Sequence, residues 1–75
     1  MIEAFQKRMI DEYKELADKV GKLEKFINDN PIFDRLDKQE RIYQVEQLTG
    51  MKMYKSALKK CMIRQNIMTA DGIIA

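Results

Sequence analysis

Five cations follow one another without an intervening carboxylate in the C-terminal half of this 75-residue chain. Residues 48–69 contain no Asp or Glu, but they contain Lys52, Lys55, Lys59, Lys60 and Arg64. Lys55 and Lys59 are four residues apart and would share one face of a helix, where each ammonium group offers a point charge to an anion. The stretch predicts an anion-binding surface. Alternatively, these cations pair with acidic groups in the first half of the chain or on a neighbouring copy.

Other side chains could complete a site for a planar, phosphorylated ligand. Arg8 carries a guanidinium fork that matches a phosphate group. Folding the chain back at its middle brings Tyr13 level with Tyr54, and these rings would form either an aromatic core pair or a stacking surface for a planar ligand. Thr69 in the tail could donate a hydrogen bond to the same ligand. This set favours a small phosphorylated molecule.

The composition excludes the catalytic and metal-binding chemistry that depends on histidine or on paired cysteines. The chain has no histidine and one cysteine, so it can form neither a cysteine–histidine zinc site nor an intrachain disulfide, and histidine acid–base catalysis is excluded. No histidine can activate Cys61, which we expect to be a buried apolar residue. The sequence also has no glycine-rich phosphate loop and no nucleophile with a base beside it. We therefore predict a non-enzyme with no cofactor and no metal site.

Two long amphipathic patterns predict the elements that position these groups. Apolar residues at three- and four-residue steps form one stripe in each half, which predicts an all-α fold: an antiparallel two-helix hairpin over residues 1–66 and a C-terminal tail over 67–75. Helix 1 is expected at about 2–29, the turn at 30–37 and helix 2 at about 38–66. The stripes are Ile2, Phe5, Met9, Tyr13, Leu16, Val20, Leu23 and Ile27 in helix 1, and Val45, Leu48, Met51, Tyr54, Leu58, Cys61 and Met62 in helix 2.

Local signals mark the boundaries of the hairpin. The only proline, Pro31, favours a helix end just before it, at Asn28–Asn30, where an asparagine can adopt the left-handed cap. Asp37 is a good N-cap with Glu40 three residues on, and Phe33 is expected to fold inward at the tip. Gly21 inside helix 1 either permits a close helix approach or is a tolerated weak point.

Two helices enclose too small a core to be stable alone. The apolar coverage of helix 2 is also wider than one partner helix can bury. We therefore expect the hairpin to assemble into a helical-bundle homo-oligomer, a homodimer or homotetramer. Asp71-Gly72 predicts a turn in the tail, and the apolar Ile73-Ile74 that follows would either dock, for example on a neighbouring subunit, or fray.

Charge and hydropathy limit the partners and the compartment. The formal net charge is only +2, which is a weak footprint for extended nucleic acid, so that partner is unlikely. The apolar runs are too short to cross a membrane and the N-terminus lacks signal-peptide features. These features predict a cytoplasmic protein with no membrane partner.

The sequence resembles a family of small bacteriophage helical-hairpin proteins, often labelled crAss-phage related. The resemblance covers roughly residues 4–64. It depends on the segment FQKRMIDEYKEL at 5–16, on Lys19, Lys22, Leu23 and Phe26, and on Gln47, Met51, Tyr54 and Leu58 at four- and three-residue steps. The resemblance implies a relation to anti-CBASS sponges, oligomers that hold cyclic nucleotide signals of bacterial immunity, such as cyclic GMP-AMP, without cleaving them.

Cyclic dinucleotides suit the side chains identified above. Arg8, Lys55 and Lys59 would oppose the two phosphates, and Tyr13 and Tyr54 would stack on the bases. Glu12 would accept a hydrogen bond from a guanine edge or else pair with Arg8. The implied activity is phage immune evasion by sequestering a signal in the host bacterial cytoplasm. The alternative is a helical protein–protein interaction module or adaptor that blocks a host or phage protein.

Overall fold

The computed structural model describes residues 2–74. Residue 1 of the predicted hairpin and residue 75 of the predicted tail lie outside the described part. Two long helices pack against each other as a hairpin with overall extents of 49 × 21 × 17 Å. The elements in chain order are α1 (Ala4–Asp29), α2 (Pro31–Arg35), α3 (Lys38–Arg64), β1 (Met68–Thr69) and β2 (Gly72–Ile73). The predicted helical hairpin is confirmed, whereas its assembly into an oligomer remains a prediction.

Gln6 ties the start of α1 to the end of α3. Its Oε1 accepts a hydrogen bond from the backbone N–H of Glu3, the N-cap residue, at 3.0 Å. Its Nε2 donates to Oε1 of Gln65 at 3.2 Å. One amide side chain therefore satisfies an N–H that the helix leaves free and fixes the open end of the hairpin.

The tip of the hairpin is a short helix rather than a plain turn. Asn30 precedes Pro31 and is extended (φ −94°, ψ 121°), so it does not adopt the left-handed cap we expected. Its Oδ1 accepts from the N–H of Ile32 at 2.9 Å and caps α2, in which Pro31 occupies the first turn. Phe33 is buried, as predicted, and meets Phe26 edge-on with ring centroids 5.9 Å apart.

Both ends of α3 have specific caps. Oδ1 of Asp37 accepts from the N–H of Glu40 at 2.8 Å, which confirms the predicted N-cap. At the other end Asn66 has a left-handed backbone conformation (φ 59°), and its backbone N–H donates to the carbonyl of Ile63 at 3.0 Å. The backbone N–H of Ile67 donates to the carbonyl of Met62 at 3.1 Å. These two bonds form a Schellman motif, which turns the chain back onto the helices.

The tail is ordered and docks on its own helices. Met68 pairs with Ile73 and Thr69 with Gly72 in an antiparallel two-stranded sheet, so the all-α prediction is corrected at this end. The turn that connects the strands lies at Ala70-Asp71, one residue before the predicted Asp71-Gly72, and Gly72 begins β2 with the positive φ (132°) that glycine tolerates.

The main hydrophobic cluster lies at the open end of the hairpin. Its buried members are Ile10, Leu58, Met62, Ile67 and Met68. Met62 has no exposed surface, because the Schellman turn places Ile67 and Met68 over it. The tail therefore supplies two of the five buried residues of this cluster.

The predicted apolar stripes were wrong at several positions. Phe5 is 45% exposed, Val45 46% and Tyr54 48%, and Cys61 is exposed rather than buried. Each predicted stripe includes more residues than one partner helix can cover. Cys61, for example, lies about 100° around the helix from the fully buried Met62.

Candidate functional site

A groove between α1 and α3 contains most of the chemistry that the sequence predicts. It is an open groove of about 490 Å³, a volume in the range of small-molecule sites. We call it the lysine groove. Its lining residues are Tyr13, Val20 and Glu24 from α1 and Lys52, Lys55, Ser56 and Lys59 from α3.

Helical spacing explains why three lysines share this groove. Lys52, Lys55 and Lys59 are separated by steps of three and four residues, so they project from the same side of α3. Buried Leu58 and Met62 hold the adjacent side of the helix against the core. The rotation of α3 that buries these two residues therefore directs the lysines into the groove.

Tyr13 and Lys55 form the centre of the groove. The Nζ of Lys55 lies 5.8 Å from the centroid of the Tyr13 ring, a cation–π contact, and both side chains are half-buried. Such contacts contribute about 0.5–1 kcal/mol at sites open to water. An anionic or planar ligand can therefore displace the ammonium group from the ring at small cost.

The charges of the groove leave an excess that suits an anion. Lys52 forms a salt bridge with Glu24, with 2.5 Å between Nζ and Oε2. No ion pair involves Lys55 or Lys59 in the part of the chain that the structure describes. Three lysines and one glutamate give the lining a formal charge of +2, which would balance two phosphodiester groups.

The structure brings together three of the seven predicted ligand residues: Tyr13, Lys55 and Lys59. Arg8 and Glu12 are exposed and do not line the groove. Counting along α1, Arg8 lies about 140° and Glu12 about 100° from Tyr13.

Tyr54 and Thr69 also lie outside the groove. The predicted Tyr13–Tyr54 pair does not form within the described residues, where the aromatic contact is between Phe26 and Phe33. Oγ1 of Thr69 accepts from the N–H of Asp71 at 3.2 Å and stabilises the tail turn.

Sequence reasoning missed four groove residues: Val20, Glu24, Lys52 and Ser56. Lys52 was visible in the basic stretch, and its three-residue spacing from Lys55 would have placed it on the same side. Glu24 had no comparable signal, because its contact with Lys52 depends on how the two helices are aligned.

A second groove near the tip is apolar. It encloses about 510 Å³ between α2 and the first turns of α3, with Lys38, Arg41 and Glu46 around an apolar centre of Phe33, Ile42 and Val45. Nε of Arg41 is buried there without a hydrogen-bond partner.

Within residues 2–74 no helix combines the length and apolar character needed to span a bilayer.

Comparison with known protein families places the geometry of the chain in context. A family model described as Sequestin matches residues 3–60. That range contains α1, α2, most of α3 and every residue that lines the lysine groove, whereas the tail lies beyond it. No protein of curated function and no solved structure matches the chain.

Proposed function

Because this chain belongs to the Sequestin family, we propose that it binds and sequesters a small anionic signal rather than transforming it. The membership confirms the resemblance to sponge-type phage proteins seen in the sequence. In our proposal the ligand is a cyclic oligonucleotide second messenger of bacterial anti-phage signalling, such as cyclic GMP-AMP. The protein would act as a phage immune-evasion protein in the host cytoplasm by holding this messenger intact.

The observation that carries the proposal is the position of Lys55 over Tyr13 beside Lys59. A base that stacks on the Tyr13 ring must displace the Lys55 ammonium group. The displaced ammonium stays within side-chain reach of the ligand, where it can pair with a phosphate. The Tyr13 ring would thus contact the base of a nucleotide, and the lysine ammonium groups would contact its phosphate.

The electrostatics of the groove also suit a doubly charged ligand. Its formal charge of +2 would match two phosphodiesters, and this net charge corresponds to Lys55 and Lys59, which form no ion pair among the described residues. Glu24 would remain neutralised by Lys52. Arg8, Glu12, Tyr54 and Thr69 could reach such a ligand only from outside this groove, so their predicted roles require a ligand shared with another copy.

Thermal shift with a panel of cyclic di- and trinucleotides, including cyclic GMP-AMP, tests the proposal. At ligand concentrations about 100 times the dissociation constant, binding adds about 2.7 kcal/mol to the free energy of unfolding. Mass spectrometry of the ligand after denaturation should recover it unchanged. A panel without any shift would overturn the proposal and favour a protein-interaction module, and recovery of a cleaved nucleotide would overturn sequestration.

Matched lysine variants locate the site. Lys55→Gln and Lys59→Gln should each weaken binding by at least about tenfold, because each removes a charge-assisted contact worth about 1.5–3 kcal/mol. Lys19→Gln removes the same charge from an exposed position of α1 that does not line the groove and should leave the affinity within about twofold, because an exposed charge that does not contact the ligand is screened by salt. Equal losses in all three variants would indicate non-specific attraction of anions.

A further inference from the structure

One ion pair crosses the lysine groove and joins the two long helices. It links Lys52 of α3 to Glu24 of α1, and these side chains are 50% and 42% exposed. The other ion pairs of the described residues connect positions four apart within α1. Glu24 is also the one acidic residue in the lining of the groove. The groove therefore contains a built-in anion that holds one of its three cations.

Helical spacing directs Glu24 into the groove. Tyr13, Val20 and Glu24 follow steps of seven and four residues, so they lie within about 40° of one another around α1. Tyr13 and Glu24 are about 16.5 Å apart along the helix axis. A ligand that stacks on the Tyr13 ring and extends along the groove toward the tip of the hairpin therefore approaches the Glu24 carboxylate.

The charges of the lining match a ligand with two negative charges. Lys55 and Lys59 form no ion pair among the described residues, whereas Lys52 is neutralised by Glu24. A third negative charge on the ligand would either remain unpaired or displace Glu24 from Lys52. In both cases an anion is left without a cation beside another anion, and such like-charge contacts weaken binding.

We propose that Glu24 is a specificity-determining residue that selects cyclic dinucleotides over their linear forms. A cyclic dinucleotide carries one negative charge on each of its phosphodiester groups. Hydrolysis of one phosphodiester adds water and leaves a terminal phosphate monoester with a charge of about −1.5 to −2 at pH 7, so the total rises to about −3. The inference rests on the proposed function, because it concerns the same groove and class of ligand. A protein with this filter keeps its groove free for the intact messenger when linear products accumulate.

Glu24→Gln tests the filter with two ligands of matched size, cyclic GMP-AMP and the linear dinucleotide pGpA. At pH 8 the terminal phosphate of pGpA is fully ionised, because its second pKa is about 6. In titration calorimetry the parent chain should bind cyclic GMP-AMP at least about tenfold more tightly than pGpA. Glu24→Gln should bind pGpA about tenfold more tightly than the parent does, because Lys52 becomes free for a charge-assisted contact. Its affinity for cyclic GMP-AMP should change by less than about threefold.

Asp18→Asn is the matched control. Oδ2 of Asp18 pairs with Nζ of Lys22 at 2.9 Å, and Asp18 lies about 120° around α1 from Glu24 and does not line the groove. This substitution also removes one carboxylate and frees one lysine, so it should leave the preference for the cyclic ligand within about twofold of the parent value. Circular dichroism should show the same helix content in all variants, because both ion pairs are exposed to water.

A double variant shows whether the gain for pGpA comes from Lys52. Adding Lys52→Gln to Glu24→Gln should return the affinity for pGpA to within about threefold of the parent value. A gain that persists in the double variant, or equal changes in Glu24→Gln and Asp18→Asn, would overturn the role of Glu24 while the binding of cyclic GMP-AMP still supports the proposed function. A parent chain that binds both ligands equally would do the same. A parent chain that binds neither would overturn this inference, and the wider nucleotide panel would then decide the proposed function separately.

Discussion

Replacing Ile67 with alanine measures how much the docked tail contributes to the fold. Ile67 is 4% exposed and packs in the cluster that contains Met62. Ile74 is seven residues further along and 62% exposed. The same substitution at the two positions therefore removes the same atoms from a buried site and from an exposed site.

The expected cost at Ile67 follows from burial. Truncating a buried isoleucine to alanine costs about 2–5 kcal/mol, and we expect about 2–3 kcal/mol, because a short tail can partly collapse onto the space left. For a domain of this size, that loss lowers Tm by roughly 8–24 °C. Ile74→Ala should stay within about 0.5 kcal/mol of the parent chain.

Urea and thermal denaturation followed by circular dichroism provide the assay. All variants must be compared at one protein concentration, because self-association makes Tm depend on concentration. A difference below about 0.5 kcal/mol between Ile67→Ala and Ile74→Ala would refute the reasoning. It would mean that the tail does not cover Met62 in solution.

Four further results are expected. Asn66→Val should lower the free energy of unfolding by about 1–2 kcal/mol in urea denaturation, because a β-branched residue resists the left-handed conformation, and Asn66→Gly should not. Gly21→Ala should raise it by about 1 kcal/mol, because the added methyl group meets open space and improves helix propensity; a loss would indicate a contact at Gly21 with another copy. Asp37→Ala should cost about 1 kcal/mol by the same assay, because it removes the cap of α3. Alkylation of Cys61, the only cysteine and an exposed one, should be about as fast in the folded protein as in urea, and strong protection in the folded protein would contradict its exposed position.

The hairpin was predictable because its signals are local. Helical periodicity, the proline at residue 31 and the Asp37 cap each depend on a few neighbouring residues. The tail was not predictable to the same degree, because strands of two residues carry no periodicity. The left-handed cap falls at Asn66 rather than near Asn30, because Pro31 favours an extended residue before it.

The candidate site was predictable where spacing along one helix decides it. Lys55 and Lys59 lie together because four residues make about one turn. Arg8 and Glu12 were chosen for their chemistry, and their angular distance from Tyr13 could have been read from the sequence. The exposed position of Tyr54 could not be predicted from the sequence. Several apolar residues of α3 compete for contact with one partner helix, and only the packing decides which of them are buried.

The chain has no tryptophan and three tyrosines, so its intrinsic fluorescence comes from two separate surfaces. Tyr13 emits from beneath the Lys55 ammonium group, and Tyr43 and Tyr54 emit from exposed positions of α3. A Tyr13→Phe protein would report only on that exposed surface, and a protein with phenylalanine at the other two positions would report only on the groove. Events at the two surfaces can therefore be recorded separately in real time without an attached dye.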